Sequence, residues 1–381
     1  MKRIYQLPLL IALQMLLFVS QLRAQQYDVT SPSGLLQISL NVGSTIAYDV
    51  TYDGTQLISS SPIAISLNAG AIMLGVNATV STTETRTVNG PIARLYGKSA
   101  DLTESFNELQ IDFTDNYSLI VRAYDEGVAY RFTTALGGDV IVDSETATFN
   151  LAGNPGVIFP EADLALQSWE RSYSTYTSIS DIAANRFAIT PTLFSYPQTG
   201  IRVVVAEADL LDYPGMYVQR TATGMKGKWA QYPKTVSDPD DIYSYHRVLT
   251  RETFIAKTSG TREYPWRVVI VSTDDKDLLN NELIYKLATP SVLSNTSFIK
   301  PGKSAWEWWH DGILETTSIP SGPGNLNYNL YKYYVDFAAA HNLEYMTMDA
   351  GYDQSYLAQI CQYAATQNVK IFVWDFINLP V

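Results

Sequence analysis

The amino-acid sequence predicts a β plus α/β protein, in which a large antiparallel β-sandwich precedes strand–helix units of a parallel sheet. Residues 27–271 alternate apolar and polar side chains with a period of two, and turn residues interrupt the alternation repeatedly. From residue 304 onward, short apolar runs alternate with segments of helical periodicity. A stretch at 290–303 with two prolines and a glycine separates the two patterns. We therefore expect a sandwich domain at 25–289, a linker at 290–303 and a second domain at 304–381.

The first 24 residues have the pattern of a secretory signal peptide. Lys2 and Arg3 give a basic start, residues 7–19 form an apolar run, and Ala24 supplies a small residue at a cleavage point. A buried N-terminal helix is the alternative interpretation, and the run is too short to span a bilayer. The sequence predicts export to the periplasm or the medium, cleavage near Ala24 and no membrane span.

The charge and the cysteine content exclude several classes of protein. The formal net charge is −12 and basic residues form no cluster, which disfavours nucleic acid as a partner. Cys361 is the only cysteine, so neither an intrachain disulfide nor a zinc site built from several cysteines can form. The sequence also has no nucleophile elbow, no glycine-rich phosphate loop and no His-x-x-x-His metal pair.

The sandwich prediction depends on individual strands. Alternating apolar residues at 36–42 and 46–52, followed by Asp53-Gly54, predict two strands and a tight turn. The segment at 274–289 predicts one short helix at the end of this region. Further strands are predicted at 109–113, 118–123, 129–133, 201–206, 247–255 and 266–271.

The second domain reads as strand, helix, strand, helix, strand. The strands are predicted at 305–310, 343–349 and 370–375, and the helices at 327–342 and 355–368. This alternation implies a parallel sheet with right-handed crossovers. An open doubly wound sheet and a closed barrel both fit the pattern. A barrel of eight units needs ~250 residues, far more than this region contains.

Candidate functional residues lie at the carboxyl ends of these strands. Asp349 and Asp375 end the second and third strands, and residues 306–311 read Trp-Glu-Trp-Trp-His-Asp at the end of the first. Active sites of α/β sheets lie at this edge, because the loops there vary while the strands hold the side chains. Indole rings stack on pyranose faces, and carboxylates bind hydroxyls or transfer protons. The pattern therefore indicates glycosidic-bond chemistry.

Each candidate also has a structural interpretation. An aspartate at a strand end often only caps the following turn. Trp308 and Trp309 would alternate sides of a strand, so we expect one of them to lie in the core. His310 fits a ligand contact or a loop residue equally well, and we expect His246 and His341 to be structural.

Several short segments along the chain carry a family resemblance through their order and spacing. They are Asp-Glu-Gly-Val-Ala-Tyr-Arg-Phe at 125–132, Glu-Ala-Asp-Leu-Leu-Asp-Tyr at 207–213, Pro-Trp-Arg-Val-Val-Ile-Val-Ser at 265–272, Trp308-Trp309, Asp-Phe-Ala-Ala-Ala-His at 336–341, and the strand that contains Asp349. In these segments the chain resembles glycoside hydrolase family 97, the α-glucosidases and α-galactosidases of Bacteroidetes-type sugar-utilisation systems.

The resemblance implies a fold and a function. It implies an N-terminal β-sandwich, a linker, a (β/α)8 TIM barrel and a small C-terminal β domain, in an exo-acting hydrolase of α-glycosides or oligosaccharides. Asp349 occupies the position of a sugar-contacting acid, and Trp308 or Trp309 that of a stacking tryptophan. It also implies a calcium ion held partly by a glutamate of the sandwich, for which Glu170 is the corresponding residue. An exposed strand residue is the alternative for Glu170.

One departure from the family pattern bears on the mechanism. Phe376 stands where inverting members carry a catalytic base glutamate, so the resemblance favours the retaining branch, often α-galactosidases. Its nucleophile and its acid/base would lie beyond Val381. We therefore expect no catalytic residue here, an incomplete barrel and little or no activity. The alternative function is a carbohydrate-binding β-sandwich module without catalysis, and a structural surface protein is a weaker one.

Overall fold

The computed structural model describes residues 25–374, apart from residues 95, 100, 163–165, 167–169, 239–245 and 316. The predicted signal peptide, Asp375 and Phe376 lie outside the described residues. The chain divides into two compact units, Met1–Pro233 with Arg251–Ser291 and Lys234–Thr250 with Val292–Val381. None of the described helices is long and apolar enough to cross a membrane.

The first unit is built on antiparallel strands, as predicted. The sheet strands described there are β1 (Gln25–Thr30), β2 (Leu36–Val42), β3 (Ile46–Tyr52), β4 (Thr55–Leu67), β5 (Ile72–Leu74), β6 (Val80–Pro91), β7 (Thr103–Phe113), β8 (Tyr117–Tyr124), β9 (Gly127–Phe149), β10 (Gly156–Phe159), β11 (Ser174–Tyr176), β12 (Phe187–Ile189), β13 (Thr192–Tyr196), β14 (Ile201–Ala208), β15 (Met216–Arg220) and β16 (Met225–Trp229). After the two-stranded hairpin β17 (Pro233–Val236) and β18 (Val248–Arg251), the sheet continues with β19 (Ala256–Glu263) and β20 (Trp266–Ser272).

Strand β9, with 23 residues, organises this unit. Its first part pairs with β8 and β20, its middle pairs with β19, and its last part pairs with β4 and finally β16. The largest core therefore gathers apolar side chains from strands at both ends of β9, such as Ile38, Tyr48, Leu109, Val121 and Val203. Alternate side chains pointing into a shared core are typical of packed β-sheets.

The period-two pattern predicted some elements well and others wrongly. β2 and β3 have the predicted bounds, and positive φ angles at Asp53 (45°) and Gly54 (72°) make the turn between β3 and β4. The predicted strand at 247–255 is too long, because β18 ends at Arg251 and residues 252–255 belong to no strand before β19 begins. There Tyr232 and Phe254 stack at 5.4 Å, and the Tyr232 N–H donates to the Phe254 carbonyl.

The helix predicted at 274–289 is two helices, α1 (Asp275–Asn280) and α2 (Leu283–Leu287). Asn281 is extended between them, and its Oδ1 accepts the Leu283 N–H at 3.1 Å, which starts a new helix instead of continuing the first. Leu283 and Leu287 pack on the face of the sheet that carries Trp266 and Phe106.

A buried ion-pair network crosses the sheet of the first unit. The Arg267 guanidinium, in a residue only 1% exposed, donates to both carboxylate oxygens of Glu145 at 2.6 and 2.7 Å and to Glu207 at 2.7 Å. It also lies 5.1 Å from the Trp229 ring. Burial raises the pKa of Glu207 to about 7, against the opposing attraction of Arg267. The positive charge of Arg267 therefore compensates two carboxylates that have little access to water.

Two glycines give a matched test of packing in this unit. Gly70 and Gly75 have φ angles of +79° and +78°, but a Cβ would meet nothing at Gly70 and would lie 2.6 Å from the Ile63 carbonyl at Gly75. We expect Gly70→Ala to cost ~1–2 kcal/mol for the left-handed backbone alone. Gly75→Ala should cost a further ~1–3 kcal/mol for the clash. Urea unfolding of both variants measures the difference, and equal losses would contradict the packing around Gly75.

The second unit contains three parallel strands, in the order β21 (Ser304–Trp306), β22 (Tyr345–Met348), β23 (Lys370–Val373). Helices α3 (Tyr328–Ala340) and α4 (Leu357–Thr366) follow the first two strands. The Asn327 side chain caps α3 by accepting the Leu330 N–H at 3.1 Å. The core of the unit joins both helices to the sheet through Leu330, Tyr331, Val335, Met346 and Ile360.

Candidate functional site

The carboxyl ends of β21 and β22 bring the predicted residues of the second unit together. β21 is shorter than the predicted strand at 305–310, because the chain turns into a 3-10 helix at Glu307–His310. Asp311 then adopts a left-handed conformation with φ 60° and ends that turn. The tight turn carries three indole rings and a carboxylate to the same edge at which β22 delivers Asp349.

The three tryptophans form one aromatic group. The Trp306 ring stacks on Trp308 with a centroid distance of 5.1 Å and an interplanar angle of 27°, and its centroid lies 6.3 Å from that of Trp309. Trp308 and Trp309 are 57% and 77% exposed. The prediction that one of them lies in the core is therefore wrong. Alternation holds only within a strand, and both residues follow the end of β21.

Asp349 is buried at the centre of this edge. Its Oδ2 accepts the Trp306 Nε1–H at 3.1 Å, and its Oδ1 accepts the Ala350 N–H at 2.7 Å. The second of these bonds is the local turn interaction that the structural interpretation anticipated. The first is a long-range contact, which ties the carboxylate to the aromatic group.

Glu307 belongs to the predicted candidate segment at 306–311, but no individual role was predicted for it. It is 1% exposed, and its Oε1 accepts the Asp349 backbone N–H at 2.8 Å. Burial raises its pKa to about 7, and the negative charge of Asp349 adds to the effect. A carboxylate within Trp-Glu-Trp-Trp was the available signal, since three large rings around one acid favour its desolvation.

A small cavity of about 130 Å³ adjoins these residues. Acidic groups and an indole ring line one side, and a glycine-rich loop at 322–326 lines the other. The lining side chains that could accept hydrogen bonds or stack on a ligand are those of Glu307, Trp308, Asp311 and Asp349. Rings beside hydrogen-bond acceptors suit a ligand with one apolar face and several hydroxyls.

The predicted metal ligand belongs to the other unit of the chain. Glu170 is an exposed residue of the first unit. Among the residues that the structure describes, no three His, Cys, Asp or Glu side chains are grouped to hold a metal ion. Calcium takes six to eight oxygen ligands, so the described carboxylates alone do not fit it.

The histidines show local contacts. His246 places its Nδ1 2.6 Å from the Ser237 carbonyl oxygen, and the His341 ring packs against Phe337 with a centroid distance of 4.2 Å. The side chain of His310 and all of Asp375 lie outside what the structure describes.

Comparison with known proteins places this chain in a family of glycoside hydrolases. Residues 29–290 match the family model described as glycosyl-hydrolase 97 N-terminal. A retaining α-galactosidase of Bacteroides thetaiotaomicron is 31% identical over 376 residues, which cover 93% of this chain and 56% of that protein. The chain belongs to glycoside hydrolase family 97.

Solved structures show the same fold. A family 97 enzyme from Pseudoalteromonas sp. strain K8, in complex with acarbose, superposes with a TM-score of 0.74 at 20% identity, over 91% of this chain and 53% of that one. A β-arabinopyranosidase gives a TM-score of 0.74 at 20% identity, over 92% and 55%. The chain thus spans little more than half the length of the relatives that it matches.

Proposed function

We propose that this chain is part of an exo-acting α-glycoside hydrolase and that it prefers α-galactosides to α-glucosides. The observation that carries the proposal is the edge at which the Trp306 ring links the Asp349 carboxylate to the rings of Trp308 and Trp309. The retaining α-galactosidase relative favours the galactoside and the retaining mechanism. The order β21–β22–β23, parallel and with a helix after each of the first two strands, supports assigning the second unit to the first three units of a (β/α)8 barrel.

In this proposal each residue has a distinct role. The exposed rings of Trp308 and Trp309 stack on the apolar face of the terminal sugar, and the Asp349 carboxylate accepts its hydroxyl protons. Asp375, which follows β23, would add a second acceptor. The two carboxyls that a retaining glycosidase needs ~5 Å apart are assigned to none of the described residues.

Calcium and export are further parts of the proposal. We propose Glu170 as one carboxylate ligand of a calcium ion and expect weak binding by residues 25–381, because the described carboxylates form no complete site. A calorimetric titration showing micromolar affinity would contradict the weak binding. We also propose cleavage after Ala24 and a periplasmic or secreted location, which N-terminal sequencing of the exported protein would test.

The test of the function separates binding from turnover. We expect purified residues 25–381 to bind galactose or methyl α-galactoside and to release almost no product from an aryl α-galactoside. Rapid turnover would contradict the proposal that the two catalytic carboxyls are not among the described residues. Binding without any contribution from the edge would favour a carbohydrate-binding sandwich module.

Trp309→Ala tests the role of the edge. The variant should weaken galactose binding about fivefold, since a stacked ring contributes on the order of 1 kcal/mol. The change should leave the fold intact, because the ring is 77% exposed. Tyr173→Ala is the matched control, since Tyr173 is an aromatic residue of the first unit, 69% exposed. Calorimetry on the three proteins gives the comparison, and equal affinities would refute the stacking role.

A further inference from the structure

Glu307 lies at the start of a chain of contacts that ends at the exposed rings. Its Oε1 accepts the Asp349 N–H, the Asp349 Oδ2 accepts the Trp306 Nε1–H, and the Trp306 ring stacks on Trp308. These contacts connect Glu307, which is buried, to Asp349 and Trp308, which a bound sugar would touch. Glu307 lines the cavity but is only 1% exposed, so it offers a ligand almost no accessible surface.

The second oxygen of Glu307 needs an explanation. Oε2 is buried and has no hydrogen-bond partner within the described residues, and the Tyr331 hydroxyl is in the same situation. Burial raises the pKa of the Tyr331 hydroxyl, and a charge on Glu307 would raise it further. A buried carboxylate with one oxygen unsatisfied is costly, whereas a neutral carboxyl is tolerated and can donate a proton to a nearby hydroxyl or water.

The charged and titratable groups around Glu307 also favour the neutral form. Asp349 approaches from the end of β22, Tyr331 and Tyr334 approach from α3, and Asp353 acts on Tyr331 from the following turn. None of these groups is a cation. Ionisation of Glu307 would therefore place a second negative charge beside Asp349 without compensation.

We propose that Glu307 is the positioning residue of the sugar site: its neutral carboxyl holds the backbone of Asp349, and thereby fixes the Asp349 carboxylate and the Trp306 ring. Asp349 and the rings contact the sugar directly, whereas Glu307 acts through them. The effect of Glu307 on sugar binding rests on the proposed function. The contact of Glu307 with the Asp349 backbone does not depend on that function, so sugar binding and the backbone contact are measured separately.

The test uses Glu307→Gln, Glu307→Ala and the control Glu344→Gln in residues 25–381. Glutamine keeps an acceptor for the Asp349 N–H but does not ionise, and alanine removes the acceptor. Glu344 is an exposed acid whose Oε2 accepts the Lys303 N–H at 2.7 Å at the opposite end of the same strands. Amide exchange at residue 349 reports the backbone contact, and galactose affinity reports the site.

We expect amide exchange at Asp349 to accelerate about tenfold in Glu307→Ala and to change less than about threefold in Glu307→Gln and Glu344→Gln. Galactose affinity should follow the same order. It should weaken as the pH rises through 7 in the wild type and in Glu344→Gln, but not in Glu307→Gln. The pH profile keeps the test valid if Glu307→Ala fails to fold, because a purely structural role does not predict it.

Two results would overturn the inference. One is equal exchange at Asp349 in the wild type and a folded Glu307→Ala, and the other is a Glu307→Gln variant as sensitive to pH as the wild type. A wild type that binds no sugar but shows the predicted exchange would refute the proposed function and leave the contact between Glu307 and the Asp349 backbone intact.

Discussion

Arg267→Leu should lower the free energy of unfolding of the first unit by about 3–5 kcal/mol, the largest loss that we expect from a single substitution. Arg267 donates to Glu145 and Glu207, and both carboxylates are nearly inaccessible to water, with side chains 6% and 5% exposed. Removing the cation leaves Glu145 and Glu207 buried without a positive partner, so that they must either take up a proton or carry uncompensated charge. The cost therefore comes mainly from the unpaired acids and only partly from the lost contacts.

The measurement is urea unfolding of the wild type, Arg267→Leu and a control. Arg202→Leu is the control, because Arg202 lies on the neighbouring strand β14 and pairs at 2.9 Å with Asp275, whose side chain is 71% exposed. We expect the control to lose less than ~1 kcal/mol. Adding Glu145→Gln and Glu207→Gln to Arg267→Leu should recover part of the loss. A loss below ~1 kcal/mol in Arg267→Leu would contradict the network.

The unfolding free energy of the second unit should fall by up to ~3 kcal/mol as the pH rises from 4.5 to 7, and Glu307→Gln should abolish this component. The pKa of Glu307 is about 7 in the folded chain, compared with an ordinary value of 4.5. Folding therefore binds a proton between these values. The contribution is complete below pH 4.5 and is lost as the pH rises through 7.

Amide exchange at β22 reports this equilibrium directly, because its core residues Met346 and Met348 are fully buried in the second unit. Urea titrations at several pH values give the unfolding free energy as a function of pH. The slopes of this dependence are then compared between the wild type and Glu307→Gln. Glu344→Gln is again the control, because its carboxylate is exposed. Parallel pH profiles for the wild type and Glu307→Gln would show that Glu307 is ionised in the folded chain.

Local sequence pattern predicted the parts of the fold that local physics determines. β2 and β3 alternate strictly, and one face of each is buried, so their bounds were predictable. The break after β18 depends on a stack between Tyr232 and Phe254, which lie 22 positions apart in the sequence, and no local period contains it. The two helices α1 and α2 depend on a single side-chain contact of Asn281.

The sequence predicted which residues belong to the site but not how their side chains are arranged. Trp308, Trp309 and Asp349 were identified because strand ends deliver functional side chains, and the structure brings them together. The outward direction of both rings was not predictable, since it depends on the 3-10 turn after Trp306. Glu307 had no predicted role of its own, because the burial that raises its pKa depends on contacts distant in sequence, such as the hydrogen bond from Asp349, 42 positions later in the chain.

The most direct test of the sugar-binding edge is an NMR titration of the indole N–H signals with methyl α-galactoside. We predict saturable shifts for Trp308 and Trp309, a smaller shift for Trp306, whose N–H donates to Asp349, and no shift for Trp229 and Trp266 in the first unit. Asp349→Ala should remove the shifts of all three edge tryptophans. Shifts confined to Trp229 and Trp266, or no saturable shift at the edge, would contradict the assignment of sugar binding to this edge.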